Sequence, residues 1–254
     1  MKIVVSIKQA PARDSLLRVN SAGTWIAEDD LAFEINEPDA YALEAGLQLR
    51  EKHGGEVIAL CAGPARAAQT IREALAKGAD RAIHIEEENL GALDPLAVAR
   101  LMANAIEPEN PDLILTGLQS DDLGYGQTGV ILAELLGRPH ATIIMQVEVK
   151  DGSIRVKREL EDGWFQHVEM PLPALLTIQS GISKLRYATL MGIKKAKTKE
   201  IRRVVGQASG LFPSIEMSKI YIPPRTKQAQ IFDGPPQEAA RKLVEKLKFE
   251  ARIL

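Results

Sequence analysis

The run Gly117-Leu118-Gln119-Ser120-Asp121-Asp122-Leu123-Gly124-Tyr125-Gly126-Gln127-Thr128 is where this sequence could do chemistry. Its glycines let a backbone come close to a ligand. It leads into a helical pattern starting near Gln127. Free N–H groups at a helix start, with the dipole behind them, favour a phosphate. The run matches neither GxxxxGK[ST] nor GxGxxG. On spacing alone two readings therefore stand side by side: a phosphate cradle, or a glycine-rich loop that only turns a corner. The adjacent acids Asp121 and Asp122 could suggest magnesium. Without a Walker-type lysine in the loop, ordering a nucleotide suits them better than catalysis.

Other reactive groups are sparse. A hydrolase needs a nucleophile, a base and an orienting group, and no GxSxG occurs. The single cysteine, Cys61, ends a predicted buried strand and reads as a core thiol. One cysteine excludes an intramolecular disulfide and a cysteine zinc site. His53, His84, His140 and His167 show no metal-ligand spacing. No catalytic residue and no metal site is expected. A net charge of -2 offers no global field for nucleic acid or a membrane surface. No apolar run approaches the ~20 residues of a membrane span. Lys2 to Lys8 reads as a buried strand, not a cleavable presequence. The expectation is a cytoplasmic protein, neither nucleic-acid-binding nor membrane-inserted.

Alternating strands and helices must position the loop. Ile3–Ile7, Glu56–Ala62, Ala82–Ile85 and Asp112–Gly117 are apolar strand runs. Helical patterns at 39–52, 64–77, 95–106 and 127–136 separate and follow them. Nearly all-apolar strands in βα order predict a Rossmann-like α/β fold, with a parallel sheet covered by helices on both faces. Such sheets bind ligands outside the carboxyl ends of the strands, where the order reverses. If the first strand is central and the fourth lies beside it, Ser6, Ile7 and Lys8 meet Gly117 and its loop there. After His140 the pattern changes to consecutive strands at 143–149, 153–160, 164–170 and 174–179, an additional antiparallel region with turns at Asp151-Gly152 and Asp162-Gly163. A basic, non-periodic stretch fills 180–203. A proline-bearing arm follows over 206–234, and then an amphipathic helix over 235–249. The expected division is an α/β nucleotide-binding domain over 1–203 and a C-terminal extension over 204–254.

Within the strand-rich part, Val156 to Thr177 reads VKRELEDGWFQHVEMPLPALLT. Arg158 precedes the acidic turn Glu161-Asp162-Gly163, Gln166 and Val168 follow on a returning strand, and Pro173 opens the run Ala174-Leu175-Leu176. This order and spacing resemble the signature of the electron-transfer flavoprotein β subunit. The resemblance covers nearly the whole chain to Arg203. It implies an adenine-nucleotide-binding α/β fold with AMP as a structural ligand. Carried over, the cofactor-binding positions are Ser6, Asn36, Glu37, Pro38, Asp39, Ala62 and the loop Gly117 to Thr128, with Gly129 beside it. The chain departs from the family at Glu37-Pro38, where Pro-Phe is common and the aromatic ring can touch the flavin. The resemblance further implies an obligate heterodimer with an α subunit that holds most of the redox FAD. Such a carrier takes electrons from acyl-CoA or other dehydrogenases, as in fatty acid oxidation, and passes them to a quinone oxidoreductase or another acceptor.

Residues 181–199 read GISKLRYATLMGIKKAKTK. Leu185, Tyr187, Leu190, Met191 and Ile193 are too apolar for a purely solvated loop, and a leucine flanked by lysines suits docking in an apolar pocket with charge for steering. Arg186-Tyr187-Ala188-Thr189-Leu190 and the following lysines resemble the family's recognition loop. That assigns partner docking to Arg186, Tyr187, Leu190, Lys194, Lys195 and Lys197. Two alternatives remain. One is a bifurcating-type β subunit, with a second FAD reacting with NADH in place of AMP. The other is a stand-alone adenine-nucleotide-binding regulator. An ATP pyrophosphatase would need an SGGxDS-like loop where this chain has Ile7-Lys8-Gln9-Ala10-Pro11.

Overall fold

The computed structural model describes residues 1–206, 213–224 and 229–254. Its first strand, β1 (Lys2–Ser6), lies at the middle of a nine-stranded sheet. A short hairpin, β2 (Gln9–Pro11) and β3 (Phe33–Ile35), leads into helix α1 (Glu37–His53). Then come β4 (Glu56–Gly63), α2 (Ala68–Lys77), β5 (Arg81–Glu86), α3 (Pro95–Ile106), β6 (Leu113–Gly117) and α4 (Thr128–Leu135). The strand-rich part is β7 (His140–Lys150), β8 (Ser153–Glu159), β9 (Phe165–Pro171) and β10 (Ala174–Ile178). Helix α5 (Leu190–Ala196), strand β11 (Ile201–Val205) and helix α6 (Pro236–Glu245) complete the described elements.

Strand order is β11-β5-β4-β1-β6-β10-β7-β8-β9. β1 pairs in parallel with β4 on one side and β6 on the other. The chain moves outward from β1 through β4 to β5, then crosses back to β6, so the order reverses between β1 and β6. Alternation along the strands splits the core in two. Ile3, Val5, Ala59 and Leu115 pack with Leu43 and Leu47 of α1 and Ile71 and Leu75 of α2. Val4, Ile58, Leu60 and Ile114 pack with Met102 and Ile106 of α3 and Leu132 of α4. A strand buried on both faces needs apolar residues at every position, which is why these runs show no alternation.

Two expectations change. The strand over 174–179 is not part of the antiparallel meander. β10 lies between β6 and β7 and is parallel to both. Its five residues are all buried, the pattern of an interior parallel strand. Within the large sheet, β7, β8 and β9 form the antiparallel series among the described residues. Second, the basic stretch over 180–203 contains the helix α5 and most of β11, a sheet-edge strand parallel to β5. Its arginines hid it: Arg202 pairs with Glu109 at 2.7 Å and Arg203 lies 3.7 Å from Glu86. The sheet therefore runs two residues past the boundary at 203. The hairpin β2–β3 has no counterpart in the sequence pattern, because two three-residue strands carry no periodicity. Of the expected arm over 206–234, residues 207–212 and 225–228 lie outside the described residues. No described helix is long and apolar enough to cross a membrane.

Candidate functional site

The carboxyl ends of β1 and β6 are tied together by a buried side chain from α1. Asp39 sits in the first turn of α1, and its two carboxylate oxygens accept the Lys8 N–H at 2.8 Å and the Gly117 N–H at 2.9 Å. It is 7% exposed, and burial pushes its carboxyl up to about 7, against the pull of those N–H groups and of the Lys8 charge. The approach is so close that a Cβ at Gly117 would fall 2.4 Å from Asp39 Oδ1 and 2.8 Å from the Asp39 nitrogen. Glycine at 117 is what lets α1 start against the end of β6.

Asn36, at the N-cap position of α1, spends its amide on the glycine-rich loop. Nδ2 donates to the Gln119 carbonyl and Oδ1 accepts the Asp121 N–H, both at 2.9 Å. Lys8 adds a second tie, its ammonium donating to Asp122 Oδ1 at 2.6 Å and Ser120 Oγ at 3.3 Å. Arg13 bonds Glu37 at 2.9 Å and lies 3.8 Å from Asp121. The loop's own backbone closes a turn, Gly124 N–H to the Ser120 carbonyl at 2.8 Å, and Leu118 N–H bonds the Ile178 carbonyl of β10 at 2.9 Å. Ser6 ends β1 half-buried, and Ala62 lies half-buried one residue from the end of β4. Pro38 is buried in the first turn of α1. Tyr125 and Gln127 are exposed, and Leu123, Gly126 and Thr128 are partly covered.

The loop delivers the chain to α4 at the reversal between β1 and β6. No side chain caps α4 at Gln127, and Gly129 is buried in its first turn. A Cβ there would meet Thr116 Oγ1 at 2.6 Å, so the helix start sits directly on the strand ends. Uncapped N–H groups over packed strand ends suit an anion such as a phosphate. The two loop acids face cations of the chain itself, Asp122 pairing with Lys8 and Asp121 lying 3.8 Å from Arg13. The cation that the loop lacks comes from the end of β1. Pairing Lys8 with Asp122 spans 114 residues, beyond any local spacing signal.

The second set of predicted residues lies elsewhere. Tyr187 is 91% and Leu190 88% exposed, on the segment that opens α5. Lys194, Lys195 and Lys197 are exposed on and just after the same helix. Arg186 behaves differently: its guanidinium is engaged with Glu44 and Glu51 of α1. Among the described residues no hydrogen bond or ion pair joins this segment to the loop over 117–128. Cys61 is fully buried, and burial first, then the charge of Asp39, push its thiol up to about 12, so it is no nucleophile at neutral pH. His84, 1% exposed, is packed with its Nε2 3.1 Å from the Gly63 carbonyl.

Comparison with known proteins agrees with this architecture. A family model described as "Electron transfer flavoprotein domain" matches residues 23–208. A Methylophilus methylotrophus protein named "Electron transfer flavoprotein subunit beta" is 36% identical over 257 residues, covering 96% of this chain and 97% of that one. The Homo sapiens protein of the same name is 35% identical over 259 residues, covering 100% of this chain and 99% of that one. The Bacillus subtilis one is 33% identical over 235 residues, covering 90% and 91%.

Proposed function

This chain belongs to the electron-transfer flavoprotein family as a β-type subunit, and we propose that it serves as the nucleotide-binding and partner-docking half of a heterodimeric electron carrier. The flavin, held mostly by an α subunit, supplies the redox chemistry when bound. This chain's residues bind, order and dock. The observation that carries the reading is the delivery of the loop 117–128 to an uncapped helix start at the reversal between β1 and β6. There AMP would place its phosphate on the N–H groups opening α4, with Lys8 supplying charge. Asn36 and Asp39 act one step back, shaping the loop and joining the strand ends. The exposed Leu190 and its lysines are the surface for a dehydrogenase that presents an apolar pocket with an acidic rim. Acyl-CoA dehydrogenases are the proposed donors, and a quinone oxidoreductase the proposed acceptor.

Counting nucleotides tests this. The chain is co-purified with its α subunit, denatured, and the released AMP and FAD are quantified. One AMP and one FAD per heterodimer support the reading. Two FAD and no AMP would mark a bifurcating form, and a stable monomer holding ATP without flavin would mark a regulator. For docking, Leu190→Ala should weaken electron acceptance while leaving nucleotide content unchanged. Truncating an anchor that fills a pocket costs about 1–3 kcal/mol of binding, so the KM for the dehydrogenase should rise roughly 5- to 140-fold. Equal rates for variant and wild type across dehydrogenase concentrations would defeat the docking assignment.

A further inference from the structure

We infer that Arg186 is a positioning residue, clamping the segment that carries Leu190 onto α1 so that the leucine meets its partner already in docked geometry. The inference rests on the docking reading of Leu190. Arg186 Nε and Nη2 donate to the Glu44 carboxylate at 2.7 and 3.0 Å, while Nη1 and Nη2 donate to Glu51 at 2.7 and 3.2 Å. Glu44 and Glu51 are two helical turns apart on one face of α1. Only a planar fork reaches both carboxylates at once; a lysine ammonium is a point charge and cannot. The Glu44 side chain is 5% exposed and Glu51 50%, so the clamp has a buried half at Glu44 and a surface half at Glu51. Burial would raise the Glu44 pKa, yet the hydrogen bonds from Arg186 and Gln48 bring it below the usual carboxylate range.

The other end of the segment is held just as firmly. Thr189 caps α5, its Oγ1 accepting the Gly192 N–H at 3.0 Å. Gly192 lies so close to α2 that a Cβ there would fall 2.3 Å from the Ala76 carbonyl oxygen. Arg72 of α2 donates to the carbonyls of Ala196 and Lys199 at 2.5 and 2.8 Å. Between the Arg186 clamp and the first residue of α5 lie only Tyr187, Ala188 and Thr189. The two large apolar side chains most exposed in this region, Tyr187 and Leu190, therefore project from a short span fixed at both ends. A surface already ordered loses less conformational freedom when a partner docks. That gives Arg186 a part in affinity although it is turned inward.

The test uses the heterodimer co-purified with its α subunit. Four forms are compared with wild type: Arg186→Gln, Arg186→Lys, Leu190→Ala and the double variant Glu44→Gln with Arg186→Gln. The double variant leaves no unpaired buried carboxylate, so it carries the test if Arg186→Gln alone fails to fold. Two quantities are read: hydrogen exchange of the amides of 187–193, and KM and kcat for electron acceptance from a reduced acyl-CoA dehydrogenase that saturates the wild type. Loss of the clamp should speed exchange and raise KM about tenfold, with kcat at saturation within about twofold, since only pre-organisation is lost. Arg186→Lys should fall between. Faster exchange with an unchanged KM, or unchanged exchange, overturns the inference. If Leu190→Ala raises KM and the Arg186 variants do not, the inference alone fails. If Leu190→Ala leaves KM unchanged, the docking reading itself has failed and the inference falls with it.

Discussion

Replacing Gly117 by alanine tests the geometry on which the nucleotide site depends. The new Cβ would lie 2.4 Å from Asp39 Oδ1, 2.8 Å from the Asp39 nitrogen and 2.8 Å from the Pro38 carbonyl carbon. Two of these atoms are backbone of the first turn of α1, which cannot swing aside as a flexible side chain would. Either α1 shifts off the end of β6 or Asp39 leaves the Gly117 N–H. Forcing one methyl into packed surroundings costs about 1–3 kcal/mol. Losing a hydrogen bond to a charged acceptor adds about 1.5–3 kcal/mol. The sum is about 2.5–6 kcal/mol, and for a chain of this size each kcal/mol moves Tm by about 2–4 °C. Gly117→Ala should therefore melt roughly 5–24 °C lower and retain less nucleotide through purification. Gly91→Ala is the control, because nothing lies within 4 Å of its Cβ and its φ is ordinary. Differential scanning calorimetry of both, with nucleotide released by denaturation quantified in parallel, gives the comparison. A Gly117→Ala protein melting within 2 °C of the Gly91→Ala control would refute the tight approach of α1 to β6.

Asp39 should make stability fall as pH rises. Its folded-state value of about 7 lies above the ordinary 3.8, so its contribution is fully present below 3.8 and is lost as pH rises through about 7. At about 1.4 kcal/mol per pH unit of that gap, the loss is about 4 kcal/mol. Asp39→Asn removes this slope, while turning an amide donor toward one of the two N–H groups costs about 1–3 kcal/mol at every pH. Urea unfolding midpoints at pH 5, 6, 7 and 8 read both effects, and an unchanged slope in the variant would count against burial as the cause. Glu109, 12% exposed, holds Arg81 at 2.6 Å and Arg202 at 2.7 Å, joining the start of β5 to β11. Its carboxyl is held below the ordinary range, chiefly by the hydrogen bond from Arg81. Its contribution is therefore present above 4.5 and lost as pH falls through the lower folded value. Glu109→Gln should cost about 2 kcal/mol at pH 7, discounted because Arg202 is partly exposed, and should speed amide exchange in β11. Stability equal to wild type at pH 7 would show that the network contributes nothing there.

Much of the fold was written in local pattern. The nearly all-apolar runs at 3–7, 56–62, 82–85 and 112–117 read as strands covered on both faces, and the helices between them set a parallel order. The same pattern holds in β10, whose five residues are all buried and all but Thr177 apolar, as suits a strand inside the parallel sheet. β11 was hidden because its arginines make pairs across the sheet edge, and a charged strand carries no apolar period. The loop over 117–128 was visible through its glycines and acids. What its side chains do was not. Asn36 and Asp39, which the resemblance gives as ligand contacts, also tie backbone segments together in the structure. Lys8 looks like an ordinary end of a strand and pairs in the structure with Asp122 of the loop.

By itself the sequence determined the layered α/β architecture, the place of the loop ahead of α4, and the exposed leucine among lysines near position 190. These follow from periodicity and composition, which are local. Only the tertiary structure decided the pairings that span long stretches of chain: Asp39 across β1 and β6, Lys8 with Asp122, and Arg186 with Glu44 and Glu51. A charged side chain carries no record of its partner, because the partner is chosen by which strand ends and helix faces the folded sheet brings within about 3 Å.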